Sequence, residues 1–242
     1  MATRLKWTRR SAMKTLVLVP FHEDAYMKLS DYLRRNPYKA YLPLPRSFCT
    51  GSRRGLEDLG YTPSSLLRVW KPLLELMENG LLVNYECYLK DDTIQQMVNT
   101  ATKVALLVLK ARAYGKTDLG EWLTLVPETV EPSITSWSGV CVVDRFLDYY
   151  IMMKKGVEVN RVQRIEVFAP TPLELFTLVA KGLVKWKCSL EEVVWWVVKY
   201  LGDFVIPSPS LTSAYRKLAY SDDYIAFIEK CAPEEDLLHY WM

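Results

Sequence analysis

The chain lacks a hydrophobic run long enough to cross a membrane. Its longest apolar stretches, Val104–Leu109 and Val193–Val198, each end at a lysine, whereas a membrane-spanning helix needs about 20 apolar residues. The segment Leu16–Phe21 is too short for the apolar core of a signal peptide, and Pro20 interrupts it. The sequence therefore predicts a cytoplasmic protein without a membrane span.

Cysteine and side-chain amides are scarce. The five cysteines are scattered and no two of them form a C-x-x-C pair, which excludes the usual spacing of zinc and thiol-redox sites. We expect reduced, mostly buried thiols. Only five Asn and three Gln occur, and these thermolabile residues are depleted in heat-adapted proteins. A thermophilic source is therefore predicted.

A strong excess of one charge is also missing. The chain has 31 Lys plus Arg against 28 Asp plus Glu, a net charge of +3, which is too weak to imply a polyanionic partner. The excess is local, because basic residues cluster near the start and no acidic residue precedes Glu23. We predict a basic N-terminal arm over residues 1–13 and a single α/β domain over residues 14–242.

Hydrophobic periodicity predicts strands that alternate with helices. Apolar and β-branched runs favour four strands, at residues 15–21, 39–44, 81–89 and 161–169. A helix is expected from Val140 to Lys154, and the chain looks helical from about residue 183 onward. This order predicts an α/β fold with a mostly parallel sheet of about four strands, flanked by helices, and a helix-rich C-terminal half.

Polar residues stand where the predicted strands end. In open parallel sheets, ligands bind beyond the carboxyl ends of the strands. His22 and Glu23 follow the first strand, and Glu86 belongs to the third. Carboxylates and imidazoles act as general acids and bases, and His also binds divalent metal ions. We therefore predict a catalytic or small-molecule site containing these three residues, with His22 as the ligand of a possible divalent metal ion.

A second candidate site is the loop at residues 46–55. It combines Arg46, Arg53 and Arg54 with hydroxyl side chains and glycines, which are the components of phosphate-binding loops. No Walker motif is present. The loop is predicted either to bind an anionic ligand or to be a solvated loop without a ligand.

Three segments follow an order known from one protein superfamily. Leu16-Val17-Leu18-Val19-Pro20-Phe21-His22 is a strand that ends in histidine, and Tyr41-Leu42-Pro43-Leu44-Pro45 is a strand that runs into a turn. Asp144-Arg145 is an acidic-arginine pair in a later, supposedly helical, region. Together with the strand, turn and helix at residues 165–178, this order resembles the TraB, ChaN and erythromycin-esterase-like superfamily.

The resemblance implies metal-assisted or histidine-assisted hydrolysis, with His22 as ligand or base and Arg145 as a charge stabiliser. The site would then lie near His22, Glu86 and Arg145. Two positions depart from the family pattern. Leu42 and Pro43 occupy the place of its second-strand glutamate, and Pro170-Thr171 replaces a second histidine. A related protein with these changes would bind without catalysing.

Two other functions remain open. Residues 56–89 resemble the turn, recognition helix and Gly-Leu-Leu-Val strand of a winged-helix module, which predicts nucleic-acid binding. Arg53, Arg54, Arg68 and Lys71 would then contact phosphates, although Pro72 interrupts the supposed recognition helix. The third alternative is a structural or interaction protein, whose aromatic residues would lie partly on an interface.

Overall fold

A computed structural model describes residues 14–36, 38–50, 62–234 and 237–241. The predicted arm at residues 1–13, Arg53 and Arg54 lie outside the described residues. Five parallel strands form one sheet in the order β3-β2-β4-β1-β5. The strands are β1 (Lys14–Leu18), β2 (Ala40–Pro45), β3 (Tyr85–Leu89), β4 (Gly139–Val143) and β5 (Arg161–Arg164). The predicted α/β class with a largely parallel sheet is confirmed. Within the described ranges, no helix is both long and apolar enough to span a membrane.

The predicted helix from Val140 to Lys154 is wrong in its first part. Residues Gly139–Val143 form β4, which lies in the middle of the sheet between β2 and β1, and a helix starts only at Phe146. Both faces of β4 are buried, so the segment is an apolar run without alternation. Such a short run fits a buried strand or a buried helix equally well by periodicity, which is why the fifth strand was not predicted.

Helices cover both faces of the sheet and form most of the C-terminal half. The α-helices are α1 (Glu23–Arg34), α2 (Arg46–Cys49), α3 (Ser64–Glu78), α4 (Thr93–Tyr114), α5 (Leu119–Leu123), α6 (Phe146–Lys154), α7 (Pro172–Ala180), α8 (Leu190–Lys199), α9 (Leu211–Ala219), α10 (Asp222–Cys231) and α11 (Leu237–Trp241). A π-helix, Tyr200–Val205, continues α8. Capping boxes begin α7 and α8, where the sequence pairs Thr171 with Glu174 and Ser189 with Glu192.

Two hydrophobic clusters lie on opposite faces of the sheet. In β1, Leu16 and Leu18 belong to one cluster and Val17 belongs to the other, because successive side chains of a strand point to opposite faces. Helices α1 and α3 bury their apolar residues in the cluster around Val17. Helices α4 to α11 contribute to the larger cluster around Leu16. The sheet is therefore enclosed by helices on both sides.

Residues 64–89 are part of this common fold and do not form a winged-helix unit. Helix α3 packs against α1, and β3 pairs in parallel with β2. Leu81 and Val83, which were expected to lie in a strand, precede it and are exposed. A wing requires an antiparallel hairpin after the recognition helix. The winged-helix interpretation of this segment is therefore wrong for its described residues.

The cysteines form two disulfides, which corrects the expectation of reduced thiols. Cys49 at the end of α2 is bonded to Cys87 in β3, and Cys188 before α8 is bonded to Cys231 at the end of α10. Only Cys141 is free, and it is buried in β4. The partners are 38 and 43 residues apart in sequence, so no local spacing pattern reveals them.

Gly139 is required where β4 begins. Its φ is +95°, and a Cβ atom there would lie 2.5 Å from the carbonyl oxygen of Lys39. That oxygen cannot easily move, because it accepts a hydrogen bond from Val140 N at 2.9 Å. We expect Gly139→Ala to lower the free energy of unfolding by about 2 kcal/mol in urea denaturation. Gly156→Ala is the matched control, because Gly156 also has positive φ but open space around it. It should cost only about 1 kcal/mol, and an equal loss in both variants would contradict the steric argument.

Candidate functional site

The fold creates a crevice between the neighbouring strands β1 and β4. Helix α1 follows β1 and packs on the face around Val17, whereas α6 follows β4 and packs on the opposite face. The chain thus leaves two adjacent parallel strands in opposite directions. Ligands in open α/β sheets bind at such a switch point, outside the carboxyl ends of the strands.

A cavity of about 400 Å³ lies at this switch point. This volume is within the range of small-molecule sites. The wall contains residues from the exits of β1, β3 and β4, from α3 and α4, and from the C-terminal helices. They are Pro20, Phe21, Trp70, Leu89, Thr93, Met97, Asp144, Arg145, Phe146, Phe168, Ala169, Thr171, Leu173, Glu174, Tyr200, Leu201, Val205, Leu211 and Tyr215. Most of these side chains are apolar or aromatic, and three are charged.

Asp144 is an ionisable group of the wall whose pKa is shifted toward neutral pH. It directly follows β4, and its Oδ2 accepts a hydrogen bond of 2.6 Å from the Tyr26 hydroxyl on α1. Burial raises the pKa of Asp144 to about 6, while the Tyr26 hydrogen bond and the charge of Arg145 oppose the rise. Among the described residues, no other side chain donates to this carboxylate. Asp144 can therefore exchange a proton near neutral pH.

Arg145 is adjacent to Asp144 but is paired with a different carboxylate. Its Nε and Nη2 donate to Asp148 Oδ2 at 2.9 and 2.6 Å, and Nη2 also donates to Ser133 Oγ at 2.6 Å. Desolvation alone would lower the pKa of Arg145, but the attraction of Asp148 outweighs it and raises the pKa. About half of the Arg145 side chain remains accessible. The guanidinium is thus held in place by Asp148 and still reaches the cavity.

Glu174 has a structural role in the same wall. Its carboxylate accepts hydrogen bonds from Thr171 N and Oγ1, at 2.9 and 2.8 Å, and from Leu147 N at 3.2 Å. It therefore caps α7 and also fixes the start of α6. Burial raises the pKa of Glu174, although the hydrogen bonds from Thr171 and Leu147 favour its charged form. The carboxylate adds negative charge to the cavity, while its hydrogen bonds serve the two helix starts.

His22 lies beside the cavity and is enclosed in a separate polar cluster. Its side chain is fully buried and caps α1, with Nδ1 accepting from Ala25 N at 3.3 Å. The Nδ1 atom also contacts Thr212 Oγ1 of α9 at 3.2 Å. The Nε2 atom lies 3.4 Å from Glu166 Oε2, outside good hydrogen-bond geometry. Burial lowers the pKa of His22 more than Glu166 raises it, so the imidazole is neutral at pH 7.

Glu23 belongs to the His22 cluster and connects α1 to α9. Its Oε2 accepts hydrogen bonds from both N and Oγ1 of Thr212, at 3.2 Å each. Desolvation raises the pKa of Glu23. The hydrogen bonds from Thr212 and from its own backbone together lower the pKa by more, so the net pKa is below the usual value. The structure thus brings His22 and Glu23 together, in a cluster that joins the N-terminal and C-terminal parts of the chain.

The remaining predicted residues lie elsewhere. Glu86 is exposed on the edge strand β3 and is ion-paired with Lys39 at 2.7 Å. Strands β2 and β4 separate β3 from β1, so at about 4.8 Å per strand Glu86 lies about 14 Å from β1. Arg46 is exposed at the start of α2. Placing Glu86 in one site with His22 and Arg145 is therefore wrong.

The geometry does not fit a metal centre at His22. In the described part of the chain, no three His, Cys, Asp or Glu residues are placed to hold a metal ion. The Glu166 carboxylate near His22 is already bound by Lys28 and Arg216. The polar cluster at His22 is therefore not suited to hold a divalent metal ion.

Comparisons with protein-family models, with curated proteins and with solved structures find no match to this chain.

Proposed function

We propose that the protein binds a small organic molecule in the cavity between the exits of β1 and β4. One observation carries this proposal: a carboxyl group with a pKa of about 6, that of Asp144, lies in a mostly apolar wall at the switch point of the sheet. Perturbed carboxyl groups in a cleft are characteristic of functional sites. The apolar wall would hold the body of the ligand, and Asp144 would contact its polar end.

The same groups are suited to acid-base chemistry on the bound molecule. A general base works best when its pKa lies near the working pH, and Asp144 meets this condition. Arg145 lies on the same wall and would stabilise developing negative charge. These features support the hydrolytic activity that the TraB-like resemblance implies, although with Asp144 as the base in place of His22. Ligand binding is the part of the proposal that can be tested without knowing the reaction.

Helix α4 offers a direct test, because it borders two cavities. Met97 lines the switch-point cavity, whereas Leu106 lines an outer groove of about 620 Å³ together with Lys103 and Lys110. A fragment set of cations, anions and neutral molecules would be screened by thermal shift and ligand-observed NMR. We expect Met97→Trp to fill the inner cavity and to weaken the best hits at least tenfold. Leu106→Trp, the matched control on the same helix, should leave their affinity unchanged.

The effects of the two variants on fragment affinity are reversed if the ligand binds in the outer groove. Loss of binding in Leu106→Trp, with Met97→Trp unaffected, would place the ligand in the outer groove and would sink the proposal. If Met97→Trp weakens the binding of none of the fragments, the proposal is also wrong.

We further propose that the protein functions inside a heat-adapted cell. Cytosolic proteins of mesophiles rarely keep disulfides, whereas intracellular proteins of hyperthermophiles are rich in them. The two disulfides and the small number of Asn and Gln residues support this origin together. A cytoplasmic location is then compatible with oxidised cysteines.

A further inference from the structure

We propose that the ligand of the switch-point cavity is an organic cation, namely an amine whose ammonium group contacts Asp144 and whose apolar body stacks against the aromatic wall. This inference rests on the proposed function and specifies the chemical class of the ligand. It follows from the charged residues of the cavity wall, from its aromatic rings and from the indole N–H of Trp70.

The charges near the cavity do not cancel. Asp144 and Glu174 are the two acidic residues of the wall, and Arg145 is the one basic residue. The Arg145 guanidinium donates twice to Asp148, which is almost completely buried behind it. Counting Asp148, three carboxylates face one cation when all are ionised, which leaves two negative charges in a desolvated region. A cationic ligand would supply the missing positive charge.

Asp144 has fewer hydrogen-bond donors than Glu174. Each oxygen of the Glu174 carboxylate accepts a backbone N–H, although burial still raises the pKa of Glu174. The Asp144 carboxylate receives only the Tyr26 hydroxyl from another side chain among the described residues. Burial raises the pKa of Asp144 despite that hydrogen bond. An ammonium group beside Asp144 would stabilise the charged form, and this gain would appear as binding affinity.

Aromatic rings line the same cavity as Asp144. Six of them lie in the wall, from Phe21, Trp70, Phe146, Phe168, Tyr200 and Tyr215. The faces of such rings attract cations, most strongly when water is excluded. A carboxylate together with several rings favours an ammonium ion over a neutral or anionic group. The Tyr215 hydroxyl is fixed by the backbone of Val167 and Ala169, so its ring is held rigidly.

Trp70 provides a second polar contact in the same wall. Its side chain is 1% exposed. Its indole N–H acts on the Tyr26 hydroxyl as a hydrogen-bond donor and so opposes the rise in the pKa of Tyr26, but this contact does not meet good hydrogen-bond geometry. A buried N–H with a poorly aligned acceptor is not fully stabilised. An oxygen or ring nitrogen on the ligand, near its ammonium group, would satisfy it.

Three indole compounds of nearly equal shape test the effect of ligand charge on affinity separately from the effect of ligand size. Tryptamine is a cation, tryptophol replaces its ammonium with a hydroxyl, and indole-3-propionate is an anion. In isothermal titration calorimetry at pH 8, we expect tryptamine to bind at least tenfold more tightly than tryptophol, and indole-3-propionate to bind most weakly. Asp144→Asn should reduce the preference for tryptamine over tryptophol to less than threefold, while tryptophol affinity changes little. Lowering the pH to 5 should reduce the preference in the wild type, because Asp144 then takes up a proton.

The outcomes separate this inference from the proposed function. Equal or tighter binding of tryptophol or indole-3-propionate would overturn the cation assignment, and so would a preference that survives Asp144→Asn. Binding by none of the three would also overturn it. In each case the Met97→Trp comparison with the full fragment set still decides whether the cavity binds small molecules.

Discussion

Replacing Asp144 with Asn is expected to increase the free energy of unfolding by about 3 kcal/mol at pH 8. The physical reason is linkage: the carboxyl has an ordinary pKa of 3.8, and burial raises it to about 6 in the folded protein. Above pH 6 the folded state therefore contains a charge that it disfavours, at about 1.4 kcal/mol for each pKa unit. Asn keeps the shape and can still accept the Tyr26 hydrogen bond. Urea denaturation at a series of pH values would measure the gain.

The pH dependence identifies the cause of this stabilisation. Below about pH 3, Asp144 is protonated in both the folded and the unfolded chain, so the advantage of Asn should disappear. As the pH rises from about 3 to about 7 the advantage should grow, and it should then stay constant. An undiminished gain at about pH 3, or a loss at pH 8, would contradict the raised pKa.

Asp148→Asn provides the matched control. It removes a neighbouring carboxylate, but we expect this substitution to lower the free energy of unfolding, whereas Asp144→Asn should raise it. Asp148 is the partner of Arg145 through two hydrogen bonds on one oxygen. Its substitution leaves the guanidinium without its counter-charge, so we expect a loss of stability at pH 8. This contrast would show that Asp144 lowers the stability of the fold, as functional residues commonly do.

The sequence predicts the edge of the sheet where the site lies, but it does not predict which residues form it. The first strand lies in the expected region, although it ends at Leu18 and not at Phe21, and the cavity begins at Pro20 and Phe21. Periodicity could not separate β4 from a helix, so Asp144 was not recognised as a strand-end residue. With β4 assigned to a helix, the β1–β4 switch point does not exist, and the predicted site was moved toward Glu86.

Long-range partners account for the other differences. His22 is where the sequence suggests, but Thr212, 190 residues later, and Glu166 enclose it. Glu174 is recognisable as half of a capping box, while its bond to Leu147 N depends on how α6 and α7 pack. The disulfides follow the same rule, because their partners meet only in the folded chain. A local pattern indicates a helix start or a strand end and carries no information on what packs against it.

Removing the Cys188–Cys231 disulfide is expected to have the largest effect on stability. The Cys188→Ser/Cys231→Ser variant should lose about 4 kcal/mol of unfolding free energy, because the bond closes a loop of 43 residues and so restricts the unfolded chain. The disulfide joins the segment before α8 to the end of α10. Helix α8 continues into the π-helix that lines the cavity. Without the disulfide, this part of the cavity wall should therefore be less rigidly fixed. Guanidinium denaturation of both proteins under oxidising conditions would measure the difference.

Thiol titration of the denatured proteins is the necessary control. With two disulfides intact, the wild type should release one thiol, that of Cys141, and the double variant should also release one. Reductant should destabilise the double variant further, because Cys49–Cys87 remains and closes a loop of similar length, 38 residues. Five thiols in the oxidised wild type, or a double variant as stable as the wild type, would refute the disulfide contribution.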